Sequence, residues 1–322
     1  MMTKKIFSEI HSFLKDIFLF TSYSHKVPIS LTFNKLPYQN IRIAIDIFLT
    51  QKYQKKFINK ISNDKKRKLF EAGNKDGIIL NPKFFSDDKI ENLKTIINNL
   101  IENYKDHNLS MDDGGNLEKN SDSLSKYYYL PKFNSKLTDQ VLKLYDALYS
   151  NEDLMTQLRF LAGINFKKNE ISVHISKVKG KLRSDDWHSD CFGRAAKGFI
   201  YLKSVEKNNS PFCFLKGSHA DKNFKKLTQN ISSKVTLNSN NGKTKWSSGD
   251  EIWIKFKDSN YEKEVLNHSE VIECSYPKGS LVTADISGFH KKGFSDGIDE
   301  RFTIGFVAKR GSMFEKFKSA FF

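Results

Sequence analysis

The chain is short of cysteine, of arginine and of long apolar runs, and each shortage narrows what it can be. Its 322 residues hold three cysteines, Cys191, Cys213 and Cys274, with no C-x-x-C among them. An odd, widely spaced set argues against a disulfide framework and against a cysteine-built structural zinc site, and it fits a reducing, cytoplasmic setting. No apolar run reaches the roughly 18 residues that a membrane-spanning helix needs. The opening stretch, MMTKKIFSEIHSFLKDIFLFTSYSHKV, is broken by Glu9, Lys15 and Asp16, and no small-residue cleavage site follows. It reads as an amphipathic helix and not as a secretory signal. No internal repeat is visible.

Positive charge, in contrast, is plentiful. The formal net charge is +16, yet only 7 of the 53 basic residues are arginine. Readers of nucleic acid lean on the planar guanidinium fork, which a lysine does not replace. Lysine excess together with abundant Asn, Ile and Phe is what A/T-rich codons produce, so the charge argues little for a nucleic-acid partner. It leaves room for an acidic or carrier-bound substrate. The densest basic run, Gln51 to Phe70, reads as a solvated helix face. Hydrophobic residues make up 39% of the chain and 27 of them are Phe, enough for a sizeable core.

Residues 1–70 carry helical periodicity, and Asp76 to Ser86 reads as a short strand and a turn. SDDKIENLKTIINNLIENYKD is the clearest helix. Ser86 or Asp87 can cap it, and Ile90, Leu93, Ile96, Ile97 and Leu100 form one stripe. His107 to Ser123 reads as a polar loop. Lys136 to Gly163 reads as two helices meeting near Ser150-Asn151-Glu152. After Gly163 seven or eight short β-rich runs follow, from ISVHISKV to RFTIGFVA, with a long polar insertion at Asn230 to Asp250. Such a block predicts a β-sandwich or barrel with the earlier helices packed on one sheet.

One junction in this block, WHSDCFGRAAKGFIYLKSV, carries chemistry. Side chains two apart in an extended chain face the same way, so His188 and Asp190 share a side. An imidazole and a carboxylate are two of the three groups in a facial triad for non-haem Fe(II), and the third is a His from another strand. Of the other histidines, His11 and His25 lie in the helical N-terminus, His107 in a loop and His268 just ahead of a strand. His174 faces a pocket or is an ordinary strand histidine, and His219 sits in a turn as a structural hydrogen-bonder. His290 ends a strand, and eleven residues on comes ERFTIGFVA. There Arg301, Thr303 and Gly305 share one face, and Phe302, Ile304 and Phe306 the other. The apolar face requires a core. A guanidinium beside a hydroxyl suits an anion.

This ordered set resembles the phytanoyl-CoA dioxygenase family. WHSDCFGR, FIYLKSVEKNNSPFCFLKGSH with its Gly217-Ser218-His219, YPKGSLVTADISGFHKKG and the earlier AGNKDGIILNPKFFSDDKIENLKTII are all similar to family segments, over about residues 70–310. The resemblance implies an α+β fold: a double-stranded β-helix (jelly-roll, cupin-like) core with a helical N-terminal half packed against one sheet. A helical extension over 1–70 and an oxygenase domain over 71–322 would form one globular unit. His188, Asp190 and His290 would ligate Fe(II). Arg301 would bind the distal carboxylate of the cosubstrate 2-oxoglutarate, with Thr303 assisting, and O2 would be the co-reactant. The implied activity is hydroxylation of an unactivated C–H of a small-molecule or carrier-bound substrate, with release of succinate and CO2. Desaturation, cyclisation and halogenation occur on the same fold. Related halogenases have a small residue where Asp190 stands, which points away from halogenation. A non-catalytic basic β-sandwich binding module is the rival from another class, and it leaves Arg301 and Thr303 unexplained. Two departures from the family stand out: Ser210 before Pro211, where glycine is usual, and the long insertion at Asn230 to Asp250. Trp187 is expected to pack beside the site and Cys191 to be a small buried filler. Arg194 and Lys197 are expected near its mouth, either facing an acidic substrate or solvated.

Overall fold

A computed structural model describes residues 36–112, 124–134, 137–182, 187–190, 194–220, 254–255, 270–308, 311 and 313–322. The chain begins with helices α1 (Leu36–Ile58) and α2 (Asp64–Asp76), strand β1 (Ile78–Asn81), helix α3 (Asp87–Glu102) and strands β2 (Ser110–Asp112) and β3 (Leu124–Tyr129). Helices α4 (Asp139–Tyr149) and α5 (Glu152–Ala162) follow, then β4 (Ile171–Lys179), β5 (Lys181–Leu182), β6 (His188–Ser189), β7 (Ala196–Tyr201), β8 (Phe212–Leu215) and β9 (Ile254–Lys255). The last part holds β10 (Val271–Cys274), β11 (Leu281–Asp285), β12 (His290–Lys292), β13 (Ser295–Asp296), β14 (Arg301–Ala308) and α6 (Met313–Phe321).

The helices start where local chemistry satisfies their free amides. Asn63 accepts from the Lys66 amide, Ser86 from that of Lys89 and Asn151 from that of Asp153. On α3, Ile90, Leu93, Ile97 and Leu100 are fully buried and Ile96 lies at the margin, as the stripe predicts. Helix α2 ends at Gly77, whose φ of 82° a side chain would strain, and whose missing Cβ leaves room for the ring of His219. His219 is buried there, its Nε2 3.1 Å from the Asn74 carbonyl, a structural role as expected.

Seven strands form an antiparallel sheet in the order β1-β11-β7-β14-β4-β3-β2. Strand alternation divides its side chains. Ile171, Val173 and Ile175 of β4 and Phe302, Ile304 and Phe306 of β14 enter the main core with the buried faces of α3, α4 and α5. Burying each such side chain contributes about 1.5–3 kcal/mol. A second antiparallel sheet, β10-β8-β12-β6-β9, covers the other face. A smaller core of Ile78, Tyr201, Val282 and Ala284 against Phe212, Phe214 and Cys274 joins the two sheets. Beyond it the inner face of the large sheet turns polar, with Lys197, Arg301, Thr303, Ser176 and His174.

Two expectations need correction. The stretch from His107 is not all loop: Ser110 pairs with Tyr129, which places β2 and β3 at the edge of the large sheet. Tyr128 there fills the core, a signal hidden by its tyrosine neighbours. Helix α6 was also not anticipated; it packs on α1, where Leu49 and Ala320 are buried together. Residues 1–35, Cys191, His268 and the insertion at 230–250 lie outside the described residues. Among the described residues no helix is long and apolar enough to cross a membrane.

Candidate active site

Strands β6 and β12 pair so that His188 and His290 stand directly opposite. Their ring centroids are 4.5 Å apart. Asp190 follows at the end of β6, its amide donating to the Ile286 carbonyl at 3.0 Å. Its Oδ1 lies 3.7 Å from His188 Nε2 and 3.5 Å from His290 Nε2. All three residues are buried, with their ligand atoms within 4.8 Å of one another. Two imidazole nitrogens and one carboxylate oxygen so placed can hold a single divalent metal ion.

The surroundings orient these groups. His290 Nδ1 donates to the Gly288 carbonyl at 3.0 Å, which leaves the Nε2 lone pair facing Asp190. The Ser218 hydroxyl accepts from the Phe289 amide at 2.8 Å and donates to the Leu215 carbonyl at 2.7 Å. The Gly217-Ser218-His219 turn therefore fixes the chain just before His290. Lys197 Nζ, on β7, donates to Asp190 Oδ2 at 2.7 Å. Burial pushes the Asp190 carboxyl up, but the Lys197 ammonium outweighs it, and the group is held well below the usual carboxylate range. Trp187 is buried beside His188, and the Lys291 ammonium lies 4.9 Å from its ring centroid.

The expectation for the two basic residues is corrected. Lys197 is neither solvated nor poised at a mouth, because it clasps a triad carboxylate. Arg194 is 1% exposed and pairs with Asp285 at 3.0 Å. Their partners lie in distant segments, so neither pairing could be read from the local sequence.

A second polar cluster sits on the same inner face. Arg301 is buried; its Nη1 donates to the Ser210 carbonyl at 2.6 Å, and its Nε has no hydrogen-bond partner. One turn of the alternation further on, Thr303 faces Ser176 of β4 with 2.7 Å between hydroxyls. That contact uses one hydroxyl hydrogen and leaves the other free to donate elsewhere. Ser176 was missed because only the register of β4 against β14 brings it there.

His174 lies beside Gly305, where a Cβ would stand 2.2 Å from the imidazole ring. Burial, then Lys197 and Arg301, push its pKa down to about 3. The folded state thus refuses a proton that the unfolded chain accepts near pH 6.5. Stability from this group is full above pH 6.5 and falls as pH drops towards 3, by about 1.4 kcal/mol per pH unit. Urea unfolding of His174→Gln between pH 7 and pH 4 should show a correspondingly flatter acid limb than wild type. Parallel limbs would mean that His174 is not kept neutral.

No family model matches the chain, and no curated protein matches it. Several solved structures are similar to it in part. The epimerase SnoN in complex with Fe3+, alpha ketoglutarate and nogalamycin RO is 14% identical, over 74% of this chain and 81% of that one, with a TM-score of 0.48. The non-heme alpha ketoglutarate dependent carbocyclase SnoK from nogalamycin biosynthesis is 14% identical over 78% and 84%, with a TM-score of 0.49. EctD from S. alaskensis with 2-oxoglutarate and 5-hydroxyectoine is 17% identical over 74% of each chain, with a TM-score of 0.49.

Proposed function

We propose that this chain is an Fe(II)- and 2-oxoglutarate-dependent oxygenase built on a jelly-roll core, of the phytanoyl-CoA dioxygenase kind. The observation that carries this is the donor set: two imidazoles and one carboxylate, buried within 4.8 Å of one another. A buried guanidinium with an unpartnered Nε on the facing sheet supports a second, anionic ligand. His188, Asp190 and His290 would hold the metal, and Arg301 with Thr303 the distal carboxylate of 2-oxoglutarate.

Iron and 2-oxoglutarate held there would supply the power to activate O2 and oxidise a C–H bond. The residues of the chain do the rest. Lys197 keeps Asp190 ionised and occupies Oδ2, so Oδ1 is the oxygen turned to the two imidazoles. The Gly288 carbonyl sets the His290 tautomer. Arg301 would meet the distal carboxylate, and the Thr303–Ser176 pair would offer a further O–H. Burial of all three triad residues keeps bulk water away. The substrate is a small or carrier-bound molecule, hydroxylated in the reading we favour, with desaturation or ring closure as the alternatives.

Anaerobic addition of Fe(II) and then 2-oxoglutarate to the purified protein should raise a weak visible charge-transfer band. Admission of O2 should then yield succinate. A wild-type protein that shows neither overturns the assignment.

A further inference from the structure

We propose that the Ser210 hydroxyl is an additional binding group for the distal carboxylate of the cosubstrate, and that the chain keeps it at the expense of stability. This rests on the function proposed above.

Ser210 has φ of 53°, in the left-handed region that a side chain adopts only with strain. It is not a surface turn residue, since it is fully buried. Both of its backbone groups are engaged: the amide donates to Phe294 O at 2.7 Å and the carbonyl accepts from Arg301 Nη1 at 2.6 Å. The fold therefore needs this backbone conformation, and a glycine would adopt it freely. The side chain serves the fold in no visible way, because Oγ is buried without a hydrogen-bond partner. A strained backbone and an unsatisfied hydroxyl thus meet at the residue that touches the guanidinium, and glycine would relieve both.

The neighbouring atoms point to what satisfies the hydroxyl. Arg301 Nε and Asn209 Nδ2 are likewise buried and unpartnered. Ser210 is itself bonded to the guanidinium through its carbonyl, so the unpartnered hydroxyl is carried by a residue in direct contact with Arg301. Ser210, its neighbour Asn209 and the Arg301 bonded to it thus carry three unsatisfied donors, beside the unsatisfied Asn209 Oδ1, and a carboxylate with about four lone-pair sites can take all three. Glycine would lack the donor, and a β-branched residue would strain further at this φ.

The test uses the Fe(II)-loaded protein under anaerobic conditions, with 2-oxoglutarate titrated into wild type, Ser210→Gly and Ser210→Ala. We expect Ser210→Gly to raise the thermal midpoint by about 2–4 °C while weakening 2-oxoglutarate binding about tenfold. Ser210→Ala should lose the same affinity, for want of the donor, without the gain from a relaxed backbone. A merely structural serine would move stability alone, so 2-oxoglutarate affinities within twofold of wild type in both variants overturn this inference and leave the oxygenase assignment standing. Failure of wild type itself to bind 2-oxoglutarate overturns both.

Discussion

Asp190→Ala and Arg301→Met are expected to abolish turnover through different losses. Asp190→Ala removes one of the three proposed ligands. Loss of an outer partner of a metal ligand already costs 10–100-fold in metal affinity, and loss of the ligand itself should exceed that. The variant also strands Lys197, whose ammonium now sits 2.7 Å from the carboxylate in a mostly buried position. Fe(II) titration should therefore fail at concentrations that saturate wild type. Arg301→Met leaves the triad untouched, so Fe(II) binding should stay near wild type. What it removes is the proposed charge-assisted clamp on the distal carboxylate, and truncation of such a partner costs about 2–5 kcal/mol, at least thirtyfold in 2-oxoglutarate affinity. Arg301→Lys should recover little, because an ammonium cannot reproduce the fork. Equal loss of metal in both variants would count against two separate subsites.

The parts of this site that were legible in the sequence are those written within one element. His188 and Asp190 stand two apart on one strand end, and the alternation of Arg301, Thr303 and Gly305 against Phe302, Ile304 and Phe306 shows which face is polar. His290 stood out through its glycine-rich turn and its distance from Arg301. What could not be read depends on register between remote strands. Ser176 meets Thr303 across 127 residues of sequence. Lys197 reaches Asp190 only because β7 lies in the large sheet while Asp190 ends a strand of the other. The same limit hid β2 and β3, whose short runs become a sheet edge only when β4 is there to pair with. Ser210 could be seen in the sequence as a departure from the phytanoyl-CoA dioxygenase pattern that it resembles. Its left-handed backbone and its carbonyl on Arg301 could not.

Arg194 belongs to a buried quartet of charges with Asp285, Asp46 and Lys316. The Arg194 amide donates to Asp46 Oδ2 at 3.0 Å, Lys316 Nζ donates to Asp46 Oδ1 and also to the Arg194 carbonyl at 3.2 Å. Asp285 Oδ1 in turn accepts from the Ser287 amide at 3.0 Å and from its hydroxyl at 2.7 Å. The quartet therefore ties α1 and α6 to the turn that precedes His290 and to the segment that follows Asp190. Burial pushes the Asp46 carboxyl up, but Lys316 outweighs it, with help from Arg194, so the acid stays ionised. Removal of one charge leaves the opposite one buried and uncompensated. Lys316→Met should thus lower stability by about 3–5 kcal/mol, which is a large part of the 5–15 kcal/mol a domain usually has. Asp46→Asn alone should behave alike. The double variant Asp46→Asn/Lys316→Met removes the imbalance and should recover most of the loss, so the coupling energy in urea unfolding should be large and favourable. Additive single losses would mean that the two residues stabilise the fold independently. Because the quartet borders both segments that carry the proposed metal ligands, Lys316→Met should also weaken Fe(II) binding at temperatures where it remains folded, and the double variant should restore it.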